Sequence, residues 1–376
     1  MHQEEISGCL RIDAGVVAAP SMLTSRVVRL VLNKVVLLLT HLVALSAVAG
    51  DATVLFGTVN FNQQLADHPE QWQQTARRTD GMLLHVHYFV RGKDTLGGTY
   101  ARDEVLAVGR KIAPSLAAKQ NCVELTFHIR SDRTDPAAIA REHAKDIDEI
   151  ERLMGIPISD VNVDWILSIL DVAARQNPPH EGESTADHAR RLAAAAGDTT
   201  RAYVRAFREA GRDERLHAVF PPVYVNQGRW NRRGKPVPHA GVQNTEVIAR
   251  IFDAGFDGFT ADSPLYLIED KQLEAQGYHD ALRAIQELCR GRGKDFGIIV
   301  NQDVDHVDQA LRGDAWDAAY QAGCMEVIRR LPKMGLAPKR LIVESWYKGP
   351  FALVPETKHG TFTHTVLQVE EAIRQR

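Results

Sequence analysis

The chain has 376 residues, of which 44% are hydrophobic, 25% charged and 7% aromatic. That is ordinary globular composition, long enough for one large α/β barrel and apolar enough for a sizeable core. A formal net charge of −3, with no long run of one sign, gives no electrostatic footprint for nucleic acid or anionic lipid as an obligatory partner.

The first fifty residues read as a targeting segment. Arg26, Arg29 and Lys34 lead into the apolar stretch Val35–Ser46, and Ala47-Val48-Ala49 follows. A positive region, a short apolar run and a small-residue cleavage site make a secretory signal peptide. Residues 1–49 are expected to be that signal, with translation starting at Met22, and residues 50–376 to form one catalytic domain, secreted or periplasmic. His41 interrupts the apolar run, which is short for a membrane span, so no stable insertion is expected after cleavage. Cys122, Cys289 and Cys324 remain in the mature part. An odd count excludes a fully paired framework, no C-x-x-C spacing suggests zinc, and buried free thiols are expected.

Beyond the signal, short β-branched or apolar runs alternate with amphipathic stretches. Strands are predicted at Val54–Asn60, Met82–Phe89, Val123–His128, Val161–Ile166, Leu216–Val219, Gly258–Ala261, Phe296–Asn301 and Leu341–Ser345. Helices are predicted near Pro69–Arg78, Ala101–Lys119, Pro136–Met154, Thr185–Ala210, Thr245–Ala254, His279–Arg290, Ala315–Met334 and Thr365–Arg374. Local signals mark several boundaries. Asp135-Pro136 sets a capping carboxylate before an N1 proline, Ser184 can cap the next helix, and Gly155, Gly211 and Gly255 stand where helices stop. Alternation of this kind predicts parallel βαβ units, and eight of them close a single-domain (β/α)8 TIM barrel. A doubly wound open sheet is disfavoured, because Gly57-Thr-Val-Asn-Phe-Asn lacks the glycine-rich phosphate turn expected after its first strand.

In such a barrel, chemistry collects where strands meet their following loops. Those junctions hold Asn60 and Asn62 after strand one, His85 and His87 on strand two, and His128 on strand three. Strand four carries Asn162 and Asp164, strand six is followed by Asp262, strand seven ends in Asn301-Gln302-Asp303, and strand eight ends in Glu344-Ser345-Trp346-Tyr347. A buried charge without a partner is expensive, so carboxylates at three strand ends call for a function. Paired carboxyl groups can protonate a glycosidic leaving oxygen and act as base or nucleophile on the other side of the sugar. Glu344, Asp164 and Asp262 are therefore the expected catalytic residues. His85, His87, His128, Asn162, Asn301 and Asp303 are expected to bind substrate, with Trp346 and Tyr347 stacking on it. The loops Gln176–Glu183 and Pro221–Gly241 are expected on the active face, and Pro350–Thr363 is placed to close over a ligand.

Over roughly residues 51–376 the chain resembles the secreted (β/α)8 glycoside hydrolases, in architecture and in its strand-end carboxylates and aromatics. The resemblance implies a glycosidase acting on a poly- or oligosaccharide, with no cofactor or metal. The chain departs from the familiar Asn-Glu end of strand four, offering Asn162-Val-Asp164, and Asn301-Gln-Asp303 replaces the glutamate at strand seven. Two alternatives stand beside this reading. One is a metal-dependent hydrolase or phosphodiesterase using His85-Val-His87, which on a strand would place both imidazoles on one face. The other is a barrel that binds carbohydrate without turning it over.

Overall fold

The computed structural model describes residues 52–127, 135–164, 168–220, 244–262, 275–301, 310–345 and 349–376. The candidate export signal lies outside these residues. Eight strands, β1 (Thr53–Thr58), β2 (Gly81–His85), β3 (Cys122–Thr126), β4 (Asp160–Asp164), β5 (Arg215–Phe220), β6 (Gly258–Ala261), β7 (Asp295–Val300) and β8 (Arg340–Ser345), pair in parallel in sequence order. β8 returns to β1 in parallel register, Leu55 opposite Ile342 and Gly57 opposite Glu344, which closes the ring. The predicted single-domain (β/α)8 barrel is the fold.

Both faces of each strand are covered, which is why the strands read as nearly continuous apolar runs. One parity packs outward under the helices: Phe56, Leu84, Val123, Val161, Phe259 and Val343 belong to the main core. The other parity fills the lumen, where Leu55, Leu83, Cys122, Val219, Ile299 and Ile342 form a separate apolar cluster. Polar residues of that second parity sit above and below this plug, and they include the candidate site.

The surrounding helices follow local chemistry. Pro136–Met154 begins with Asp135 accepting a hydrogen bond from the Ala137 N–H at 2.9 Å and ends at Gly155 with φ 69°. Thr185–Glu209 is capped by Ser184, which accepts from the Asp187 N–H at 3.1 Å. An extra helix, Ser168–Gln176, stands between β4 and that long helix, so the loop beginning at Gln176 links two helices. Cys122, Cys289 and Cys324 are free and buried. Among the described residues no helix is long and apolar enough to cross a membrane.

Strand two differs from its prediction. It stops at His85, and Val86–Phe89 forms a helical turn instead of continuing the strand. Tyr88 packs edge-on against Phe89 and Tyr100, with ring centroids 5.1 and 5.2 Å apart, so tertiary packing overrides the strand preference of this run. The loop after β8 is also not a free flap. Glu356 accepts hydrogen bonds from the Gln74 N–H (3.0 Å), the Thr75 N–H (2.8 Å) and the Thr75 hydroxyl (3.0 Å). Asp317 accepts from the N–H groups of Phe351 (2.7 Å) and Ala352 (3.1 Å). These buried carboxylates fasten the segment to two helices.

Candidate functional site

Ionisable side chains from five strands meet at the C-terminal end of the lumen. His85 is the last residue of β2, Glu124 lies within β3, Asp164 ends β4, Asp262 follows β6 and Glu344 lies near the end of β8. The ring supplies the convergence: His85 is opposite Glu124 across β2 and β3, and Thr126 is opposite Asp164 across β3 and β4. β7 pairs with β8 as far as Val300 with Val343, so Asn301, one residue on, lies beside Glu344.

Burial is graded across the mouth. His85, Glu344 and Glu124 are 1%, 4% and 8% exposed, whereas Asp164, Asp262 and Asn301 are half-buried and Thr126 is exposed at the rim. The inner three are in mutual contact. His85 Nδ1 lies 3.2 Å from Glu124 Oε1, and His85 Nε2 lies 3.5 Å from Glu344 Oε1. One imidazole thus stands between two carboxylates. The Tyr320 hydroxyl donates to the Glu344 backbone carbonyl at 2.6 Å and anchors the strand end from outside.

The electrostatics of this mouth are one-sided. Burial, followed by the like charges of Glu124, Asp262 and Asp164, raises the Glu344 carboxyl well above the ordinary carboxylate range. Four acids drawn together at the end of a barrel favour whatever brings positive charge, a proton or a cation, among them.

A second polar layer lies beneath. Arg340 Nη1 donates to Asn162 Oδ1 at 2.7 Å, and His217 Nε2 lies 3.0 Å from Asp160 Oδ1, all four side chains being buried. Burial alone would raise the Asp160 carboxyl, but hydrogen bonding from His217 and the Arg340 charge bring it down to about 2. Burial, with the Arg340 charge, lowers His217 to about 4. This layer is an internally paired floor, and it takes no solvent-facing part in the mouth.

The expected site residues separate accordingly. Glu344, Asp164, Asp262, His85 and Asn301 come together. Asn162 is committed to Arg340 in the floor. His87 falls on the helical turn, exposed on the outside, its Nε2 3.3 Å from the Asp94 carbonyl oxygen, so the paired-imidazole arrangement behind a metal-dependent hydrolase or phosphodiesterase does not form. His128, Asp303, Trp346 and Tyr347 lie outside the described residues. Glu124 is the residue that sequence reasoning missed; it shares lumen parity with Cys122 and Thr126, which only the closed ring reveals.

No family model matches the chain, and no curated protein matches it. Among solved structures it is similar to 2,3-dimethylmalate lyase, a PEP mutase/isocitrate lyase superfamily member, at 13% identity and TM-score 0.35, covering 78% of this chain and 76% of that one. A protein from Toxoplasma gondii assigned as a deoxyribose-phosphate aldolase aligns at 11% identity and TM-score 0.41, covering 87% and 95%. An HpcH/HpaI aldolase from Desulfitobacterium hafniense aligns at 9% identity and TM-score 0.37, covering 79% and 88%. The expectation of a glycoside hydrolase is corrected. These three structures are of a lyase and of aldolases, and Glu344, the expected leading acid, is buried beside His85 and Glu124, the nearest ligand atoms of the three lying within 4.8 Å of one another. What the solved structures share with this chain is the fold.

Proposed function

We propose that this chain is an enzyme that moves a proton at a carbon next to a carbonyl group of a small molecule, placing it among lyases and isomerases. The observation that carries the reading is the convergence of Asp164, Asp262 and Asn301 at the rim with the His85–Glu124–Glu344 trio deeper in the lumen. Half-buried carboxylates in contact with solvent can take and return protons, so Asp164 and Asp262 are the bases. A carbonyl oxygen that enters the lumen meets the inner trio, where the Glu344 carboxyl, pushed toward its protonated form by burial and its acidic neighbours, donates a hydrogen bond to the oxygen as negative charge develops on it. Depth sets the size of the substrate: only a small molecule, or the tip of a larger one, reaches side chains this buried inside a ring of eight strands.

Hydrogen–deuterium exchange tests this directly. The protein is incubated in D2O with a panel of small aldehydes, 2-oxo acids and 2-hydroxy acids, and the carbon-bound protons are followed by NMR. Exchange beside the carbonyl of at least one member is expected, and Asp164→Asn or Asp262→Asn should slow it by about 10² to 10⁴. Folded protein that accelerates exchange in no member of the panel overturns the proposal.

A further inference from the structure

We infer that His85, Glu124 and Glu344 hold a divalent metal ion at the inner end of the mouth, an inference that rests on reading this mouth as the reaction site. Each residue comes from a different strand of the closed ring and offers one ligand atom, and those atoms lie within 4.8 Å of one another. Two ligands bonded at about 2.0–2.6 Å to a common ion stand at most about 4.0–5.2 Å apart, so this spacing is one that a single ion can bridge. His85 stands 3.2 Å from Glu124 and 3.5 Å from Glu344.

The backbone makes room for this cluster. Gly57 is opposite Glu344 on β1, between the strands that carry Glu344 and His85. A Cβ at position 57 would sit 2.7 Å from Leu83 Cβ, 2.8 Å from the Leu83 carbonyl oxygen and 3.4 Å from His85 Nε2. The Leu83 contacts hold position 57 to glycine, and the His85 imidazole packs beside it at ordinary contact distance. The donor set, two carboxylates and one imidazole, suits Mn2+, Fe2+ or Zn2+ better than an ion that takes oxygen alone. A cation there would neutralise the acids that crowd Glu344 and would polarise a substrate oxygen entering the lumen.

The test uses the full chain stripped with EDTA. Mn2+ is titrated in and its free aqueous signal followed by electron paramagnetic resonance; a second titration uses Zn2+ in equilibrium dialysis. One ion per chain is expected, with affinity falling at least about tenfold in both His85→Ala and Glu124→Gln. Circular dichroism checks that each variant folds. Glu344→Gln, which removes a repelled charge, gives the same reading if either of the others unfolds. Binding of neither ion to folded protein, or affinity unchanged in the variants, overturns the inference. Its failure is distinct from that of the proposed reaction. Folded protein that exchanges substrate protons but binds neither ion removes the metal alone, and ion binding at the trio without exchange removes the reaction alone.

Discussion

Arg340 and Asn162 are 178 residues apart in the chain and meet inside the barrel, where Arg340 Nη1 donates to Asn162 Oδ1 at 2.7 Å. The guanidinium is buried, and its charge also acts on Asp160. Taking away one member of a buried charged group strands the rest, at a typical cost of about 3–5 kcal/mol. Arg340→Met should therefore lose about that much in urea unfolding, and Asn162→Ala less, about 1.5–3 kcal/mol. Combined, the two should cost less than their sum, since they share one interaction. Strict additivity in the double-mutant cycle would show that the pair is not coupled.

The Asp160–His217 pair sets how stability responds to acid. Burial and the Arg340 charge lower His217 to about 4, from 6.5 in an ordinary environment. The unfolded chain thus takes up this proton first as pH falls, and the stabilisation present above pH 6.5 drains away towards pH 4. Asp160, brought down to about 2 from 3.8, adds a further loss in the interval between those values. For His217 the effect is about 3 kcal/mol by linkage. Urea unfolding at pH 7, 5.5 and 4 should show this decline, and His217→Gln should flatten it between 6.5 and 4. An equal slope in the variant would mean that other groups carry the acid sensitivity.

Gly258 is the space that His217 occupies. A Cβ there would lie 2.4 Å from His217 Nδ1 and 2.9 Å from the Asp295 carbonyl oxygen. Overpacking of this kind costs about 1–3 kcal/mol. Gly258→Ala should lower the thermal midpoint, and adding His217→Ala should recover part of the loss by removing the closer contact. A second substitution that only worsens stability would show that the strain comes from the strand backbone.

These contacts also show why the barrel was legible in the sequence while much of its site was not. The helix Pro136–Met154 follows from its own residues: a capping aspartate, an N1 proline and a terminal glycine are local signals. Lumen parity is not local. Because both faces of β3 are covered, Val123 and Glu124 are both buried, and nothing in Cys122-Val-Glu-Leu-Thr tells which neighbour faces the axis until the ring closes. Glu344 and Asp164 stood out because they lie where apolar runs end, a place the pattern does mark. His87 misled because Val-His-Tyr-Phe has strand composition, and only packing with Tyr100 turns it into a helical turn.

Glu356 lies in the loop that the sequence places to close over a ligand, and its partners give it a structural task. Its carboxylate holds the first N–H groups of the helix Gln73–Arg78. Glu356→Ala should cost about 1–2 kcal/mol, as expected for the loss of a helix-capping oxygen. Glu356→Gln, which keeps an acceptor, should cost less. The proton exchange proposed for this chain should be unchanged in both at temperatures where they stay folded. A fall in exchange without a fall in stability would give this residue a place in the site.

Glu344 should behave in the opposite way to Glu356. In protein stripped of metal its carboxylate is buried among Glu124, Asp262 and Asp164, which repel it. A carboxyl raised in the folded state is stabilising only while protonated, so this contribution is present below the ordinary glutamate value and lost as pH rises through the folded one. Glu344→Gln removes that penalty, and the stripped variant should melt at a higher temperature than stripped wild type at pH 8. Mn2+ reverses the order of benefit. A ligand that binds only the folded state raises its stability by RT ln(1 + L/Kd), with L the free ligand concentration, so the ion should raise the wild-type midpoint and leave the variant nearly unmoved. If Glu344→Gln lowers the stripped midpoint instead, the carboxylate is satisfied by its neighbours, and the crowding of acids at the mouth is not a source of strain.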